Sequence, residues 1–164
     1  MNVLDKKTHS HHDDPYWSQF GETWVRTLPA RTIAEFASGN CPPLMVLEAR
    51  DGVRVLDTGS GTQTTHPSLD EARRHANRIA QDLLESRDGR MLAEAGLDPA
   101  EWRFCHQGRF VWFQSLRSPN VRLERHDSSR WVAIDGRLRI GIAHEPSLAA
   151  DLVRQASLRP GYLP

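Results

Sequence analysis

The sequence predicts an α+β domain, an antiparallel sheet of roughly five to seven strands packed on helices, and three patterns carry that reading. Residues 44–57 form a hairpin pattern, two apolar-rich runs around Asp51-Gly52. Residues 68–87 have the spacing of a long amphipathic helix. Residues 102–143 alternate apolar and polar side chains between turn-forming pairs, the mark of a meander. A C-terminal helix over 146–156 completes the expected core.

Taken in order, residues 1–14 are polar, rich in His and Asp, and read as a flexible tail with no apolar stretch of the secretory-signal kind. Residues 15–164 read as a single α+β domain. Trp17, Phe20 and Trp24 recur at i, i+3, i+7, which predicts a short helix with three aromatics on one face. Residues 30–38 predict a second short helix, ended by Gly39-Asn40 and barred from continuing by Pro42-Pro43. In the hairpin, Gly52 supplies the backbone freedom that a tight turn needs.

Residues 59–67 are polar and read as a loop. Ser68 and Glu71 then have capping-box spacing. Leu69, Ala72, Ala76, Ile79, Ala80, Leu83 and Leu84 share one helical face, and Asp88-Gly89 is the expected stop. Residues 90–95 predict another helical turn or two, and Asp98-Pro99 a turn. Expected strands at 102–105 and 109–115 flank Gln107-Gly108. Those at 121–125 and 131–134 flank residues 127–129, and Asp135-Gly136 leads into 138–143.

The totals exclude some classes. The 164 residues carry 21 basic and 21 acidic side chains, and this balance argues against strong non-specific DNA binding. No apolar run is long enough to cross a bilayer. Two cysteines, Cys41 and Cys105, cannot build a disulfide framework and suit a reducing cytoplasm. Charge is unevenly spread. Residues 1–70 hold six basic and nine acidic groups, and residues 103–139 hold eight Arg against three acids. Nineteen of the 21 basic residues are Arg, a bias that a GC-rich genome or a need for planar, forked donors could each produce.

Four motifs offer chemistry. The string Val55-Leu56-Asp57-Thr58-Gly59-Ser60 resembles the active-site loop of aspartic proteases, and Ile140-Gly141 is similar to that family's late apolar-Gly segment. The resemblance implies that Asp57 meets a second Asp and shares a proton with it to activate water. The alternative is a strand ending at Leu56 and a polar return loop. His66-Pro67-Ser68 and His126-Asp127-Ser128 resemble the paired motifs of 2H phosphodiesterases, which implies acid–base roles for His66 and His126. The alternative leaves Ser68 as a helix cap and both imidazoles as surface groups. His9, His11, His12, Asp13 and Asp14 could bind Zn, Ni or Cu, or hold metal only adventitiously on an unstructured tail.

The fourth motif is an array of Arg and aromatic residues on the expected strands, which include Arg103, Arg109, Arg117, Phe104, Phe110, Trp112 and Phe113. Arg and aromatics suit phosphates and bases, and equally anchor protein interfaces. An ordinary solvated face with long Arg stems over apolar surface is the alternative.

Together these features predict a small non-enzymatic binding or regulatory protein of accessory or inhibitor type, bacterial or mobile-element in style and cytoplasmic. Its expected binding residues are Arg73, Arg74, Arg78, Arg122, Arg125, Arg130, Trp131, Arg137 and Arg139. The expected partner is another protein or a nucleic acid, with a homodimer allowed. No catalytic residue, metal, cofactor or membrane is assigned. The rival reading is a hydrolase, aspartic-protease-like at Asp57 or phosphodiesterase-like at His66 and His126.

Overall fold

The computed structural model describes residues 15–161 of the chain. The architecture is α+β, with two five-stranded antiparallel sheets. The expected hairpin and meander both form, one in each sheet rather than side by side in a single one. The chain divides into two compact units, residues 15–28 with 42–80, and residues 29–41 with 81–161. The His/Asp cluster at His9, His11, His12, Asp13 and Asp14 lies outside the described residues.

The first unit holds β1 (Trp17–Phe20), β2 (Thr23–Arg26), β3 (Leu44–Ala49), β4 (Gly52–Asp57) and β5 (Gln63–His66), ordered as in the chain. The aromatic segment expected to be a helix is the β1–β2 hairpin, with Phe20 opposite Thr23 and Trp17 opposite Arg26. Gly21, at φ +62°, makes the turn that helical periodicity overlooked. Trp17 is buried but Phe20 is 68% exposed, so the aromatics do not share one face. The polar stretch after Asp57 is also more ordered than expected. Gln63 to His66 pair with β4 as an edge strand.

Alternation along β3 and β4 buries Leu44, Val46, Val53 and Val55 on one face. Helix α2 (Leu69–Glu85) follows β5. The expected cap is present, with the Glu71 N–H donating to Ser68 Oγ at 3.3 Å. Ala72, Ala76 and Ala80 form the buried side of the helix. Asn77 ties the helix to the first hairpin. Its Oδ1 accepts from Trp17 Nε1 and from Arg26 Nε, each at 3.1 Å.

The second unit begins with α1 (Ile33–Ser38), capped by Thr32, whose Oγ1 accepts from Glu35 N at 3.1 Å. Helix α3 (Arg87–Ala95) follows a break at Ser86, so Asp88-Gly89 lies inside a helix instead of ending one. Ser86 Oγ donates to the Asp82 carbonyl at 2.8 Å, and Arg90 Nε donates to Ser86 Oγ at 2.9 Å. A hydroxyl that bonds back to i−4 explains a break at Ser86 better than the glycine does. Arg90 also donates to the Ala30 and Arg31 carbonyls at 3.2 and 2.9 Å, fixing the segment before α1 to α3.

The meander is β6 (Trp102–Gln107), β7 (Phe110–Ser115), β8 (Val121–Asp127), β9 (Arg130–Asp135) and β10 (Leu138–Ala143), and α4 (Pro146–Ser157) closes the unit. One row of partners crosses the whole sheet: Phe104, Phe113, Leu123, Ala133 and Gly141. The first four are buried with Met91, Leu92 and Ala95 of α3, Ala149 and Ala150 of α4, and Ile33 of α1. Gly141 is where α4 comes closest. A Cβ there would stand 2.7 Å from Leu152 Cδ1. All three helices of this unit therefore cover the same face of its sheet.

Candidate functional site

Side chains alternate across a strand, so the register that buries one row exposes the next. In the second sheet the next row is Arg103, Gln114, Arg122, Ile134 and Arg139. On the other side of the core row run Cys105, Trp112, Glu124, Val132 and Ile142, of which Val132 is itself buried, 3% exposed. Both rows point away from α1, α3 and α4. Phe110 belongs to this outer face too, its ring 5.5 Å from that of Trp112 two residues on.

This face mixes apolar and cationic groups. Phe110 is 48% exposed, Ile142 is 43% exposed, and Trp112 and Ile134 are half-buried. Arg103 and Arg139 are exposed and make no ion pair among the described residues. Arg122 is held by Glu124 on its own strand, Nε to Oε1 at 2.5 Å, so one acid opposes three Arg. Gln114 is fixed in place, its Nε2 donating to the Pro119 and Val121 carbonyls at 2.8 Å each.

Within the second unit, the residues expected to bind a partner do not fall on one surface. Arg122 and Arg139 lie on the outer face, and Arg137 is exposed in the turn after β9. Trp131, expected at the surface, is 6% exposed, with its ring 5.4 Å from that of Phe113 in the core. It pairs with Arg125, so that Arg lies on the helix-covered face, in a cleft it shares with Trp131, Glu94 and Ser128. Arg130 bonds Asp127 through Nε at 2.7 Å. That bond, with a second from Ser129 N, holds the Asp127 carboxyl far below the usual carboxylate range.

In the first unit, Arg73 is buried, with its guanidinium carbon 4.6 Å from the ring centre of Trp17 and 4.9 Å from that of Trp24. Arg74 and Arg78 are exposed. The periodicity that put the three Arg on one helix could not tell which of them turns inward.

Alternation in the sequence sets Ile134 on the face opposite Trp131, as found, and Ile142 on the face opposite Arg139. A register shift between Arg139 and Gly141 instead brings Ile142 to the same face as Arg139. Arg103, Phe110 and Trp112 are noted in the sequence without being placed. In β7 both alternating sets are apolar, Val111 with Phe113 and Phe110 with Trp112. The pattern therefore gives no sign of which set is core.

The hydrolase motifs have structural employment. Asp57 is buried at the end of β4, and its Oδ1 accepts from Gly59 N at 3.0 Å and Ser60 N at 3.2 Å, as in an Asx turn. Thr58 Oγ1 donates to the Pro43 carbonyl at 2.7 Å. His66 is on β5 in the first unit, and His126 is exposed on β8 in the second. The ring nearest His66 is that of His75, with centres 4.7 Å apart. Cys41 and Cys105 are free thiols, and burial followed by the nearby Glu35 pushes the Cys41 thiol up. Among the described residues no group of three or more His, Cys, Asp or Glu is placed to hold a metal ion, and no helix is long and apolar enough to cross a membrane.

No protein-family model, curated protein or solved structure matches the chain.

Proposed function

We propose that the chain is a non-enzymatic binding protein that docks a partner protein on the outer face of the second sheet, acting in the cytoplasm. One observation carries this reading. Phe110, Trp112, Ile134 and Ile142 stay at or near the surface on the face its three helices leave uncovered, with Arg103, Arg122 and Arg139 among them. An apolar centre with aromatic and Arg side chains is the composition of a protein interface. Three Arg against Glu124 favour an acidic partner surface, because opposite potentials speed and orient encounter.

A protein suits this face better than a nucleic acid does. Aliphatic Ile134 and Ile142 offer no stacking platform, and Glu124 in the adjoining row repels phosphate. The test is a pull-down from the native host with three baits, in nuclease-treated and untreated arms. The baits are the wild-type chain, Arg103→Glu/Arg139→Glu, and the control Arg50→Glu in the first unit. A partner retained by wild type and control after nuclease, and lost by the double variant, supports the reading. Capture abolished by nuclease would identify a nucleic-acid partner instead. Equal capture by all three baits would remove the face from consideration.

A further inference from the structure

Within the first unit, His66 on β5 and Glu71, Arg74, His75 and Arg78 on α2 line a shallow depression of about 230 Å³. Helical spacing puts Arg74 and Arg78 one turn apart on the same side, with His75 reaching across to β5. The two imidazoles are neighbours, 4.7 Å between ring centres. His66 Nε2 is engaged with Thr64 Oγ1 at 3.0 Å, which leaves Nδ1 for another group. Arg74 spends one N–H on the Asp70 carbonyl at 3.4 Å, and neither Arg74 nor Arg78 forms an ion pair among the described residues.

We propose that this depression is an anion site that takes a phosphate-sized oxyanion between Arg74, Arg78 and the two imidazoles. Arg presents several N–H donors in a planar fork, which matches the oxygens of a tetrahedral oxyanion. Glu71 is the opposing charge, so with both imidazoles neutral the lining carries two cations and one anion. Burial first, and then the neighbouring His66 and Arg78, hold His75 below its ordinary value. A bound dianion would offset that field and draw a proton onto His75, so the anion should bind more tightly at lower pH. The site is independent of the outer sheet face, and either proposal can fail without the other.

Sulfate is the suitable probe for pH, because its charge is constant between pH 5.5 and 7.5, and inorganic phosphate is the second probe. Each is titrated into the full chain while the imidazole proton resonances of His66 and His75 are followed by NMR. The expected result is saturable binding of both anions, with both histidines reporting one affinity. Sulfate should bind about fivefold tighter at pH 5.5 than at 7.5, the change expected over that window if the His75 imidazole gains one pKa unit on binding. Arg74→Gln/Arg78→Gln should lose saturable binding while keeping the wild-type melting temperature, since both side chains are exposed. Small shifts linear in anion concentration, equal in wild type and double variant, would mean an adventitious ion only and would overturn the proposal.

Discussion

Arg73 and Trp17 form a buried cation–aromatic pair, the guanidinium carbon 4.6 Å from the ring centre and Trp24 on the other contact at 4.9 Å. An Arg so placed fastens α2 to the β1–β2 hairpin and is part of the first unit's core. Arg73→Ala removes both the cation–π contacts and the packing of the Arg stem. It should lower unfolding stability by about 2 kcal/mol. Arg73→Lys should recover only part of that, because a compact ammonium lacks the planar, delocalised guanidinium that contacts both rings. Urea denaturation of the three proteins measures the order.

Asn77 is the polar counterpart of that pair. Its Oδ1 accepts from the indole N–H of Trp17, a side chain only 6% exposed. Asn77→Leu should cost about 1 kcal/mol, the net worth of a partly buried hydrogen bond, since Asn77 itself is exposed. The same denaturation measurement reads it.

The β3–β4 turn depends on Gly52. Its φ is +136°, and an added Cβ would stand 2.5 Å from the His66 carbonyl oxygen, a backbone atom with little room to yield. Gly52→Ala should destabilise by about 1–3 kcal/mol, through the strained φ and the clash with the His66 carbonyl together. Gly108→Ala is the matched control, since its φ is also positive, at +57°, but nothing lies within 4 Å of the added atom. Thermal melts should place the Gly52 variant well below the Gly108 variant.

Asp127 gives a pH signature with a definite sign. The Arg130 side chain, followed by the Ser129 N–H, holds its folded-state carboxyl far below the range of an unfolded Asp, about 3.9. A depressed folded value means that the contribution to stability is fully present above the unfolded value. It is lost as pH falls through the folded one. The stability difference between wild type and Asp127→Asn should stay flat from neutrality to about pH 5 and shrink on further acidification. NMR titration of the side-chain carboxyl should show it still ionised where ordinary carboxylates have protonated.

Much of this architecture was legible from residue order. The Asp51-Gly52 and Asp135-Gly136 turns, the Ser68 cap and the alternation of 131–143 marked strands and the start of the long helix where they occur, whereas Asp88-Gly89 did not mark its end. Three features escaped for physical reasons. The spacing of Trp17, Phe20 and Trp24 fits a helix, yet a glycine at positive φ between short β-forming runs made a hairpin. The edge strand Gln63–His66 has no apolar alternation, because only its backbone pairs with β4. The split into two sheets falls between β5 and β6, which are separated by α2 and α3 and do not pair, and local pattern does not encode that. The interface was harder still. Trp131 and Trp112 look alike in sequence, and only the register with Phe113 and Leu123 puts one in the core and the other on the outer face.

The most direct test of the docking face places a photo-crosslinking aromatic amino acid at Phe110 in the native host, with Phe20 of the first sheet as the control position. Phe20 is 68% exposed against 48% for Phe110, so accessibility alone favours adducts at the control. The account predicts a discrete protein adduct at position 110 that is absent at position 20 and is lost when Arg103→Glu/Arg139→Glu is added. No adduct at position 110, or the same adducts at both positions, would contradict it.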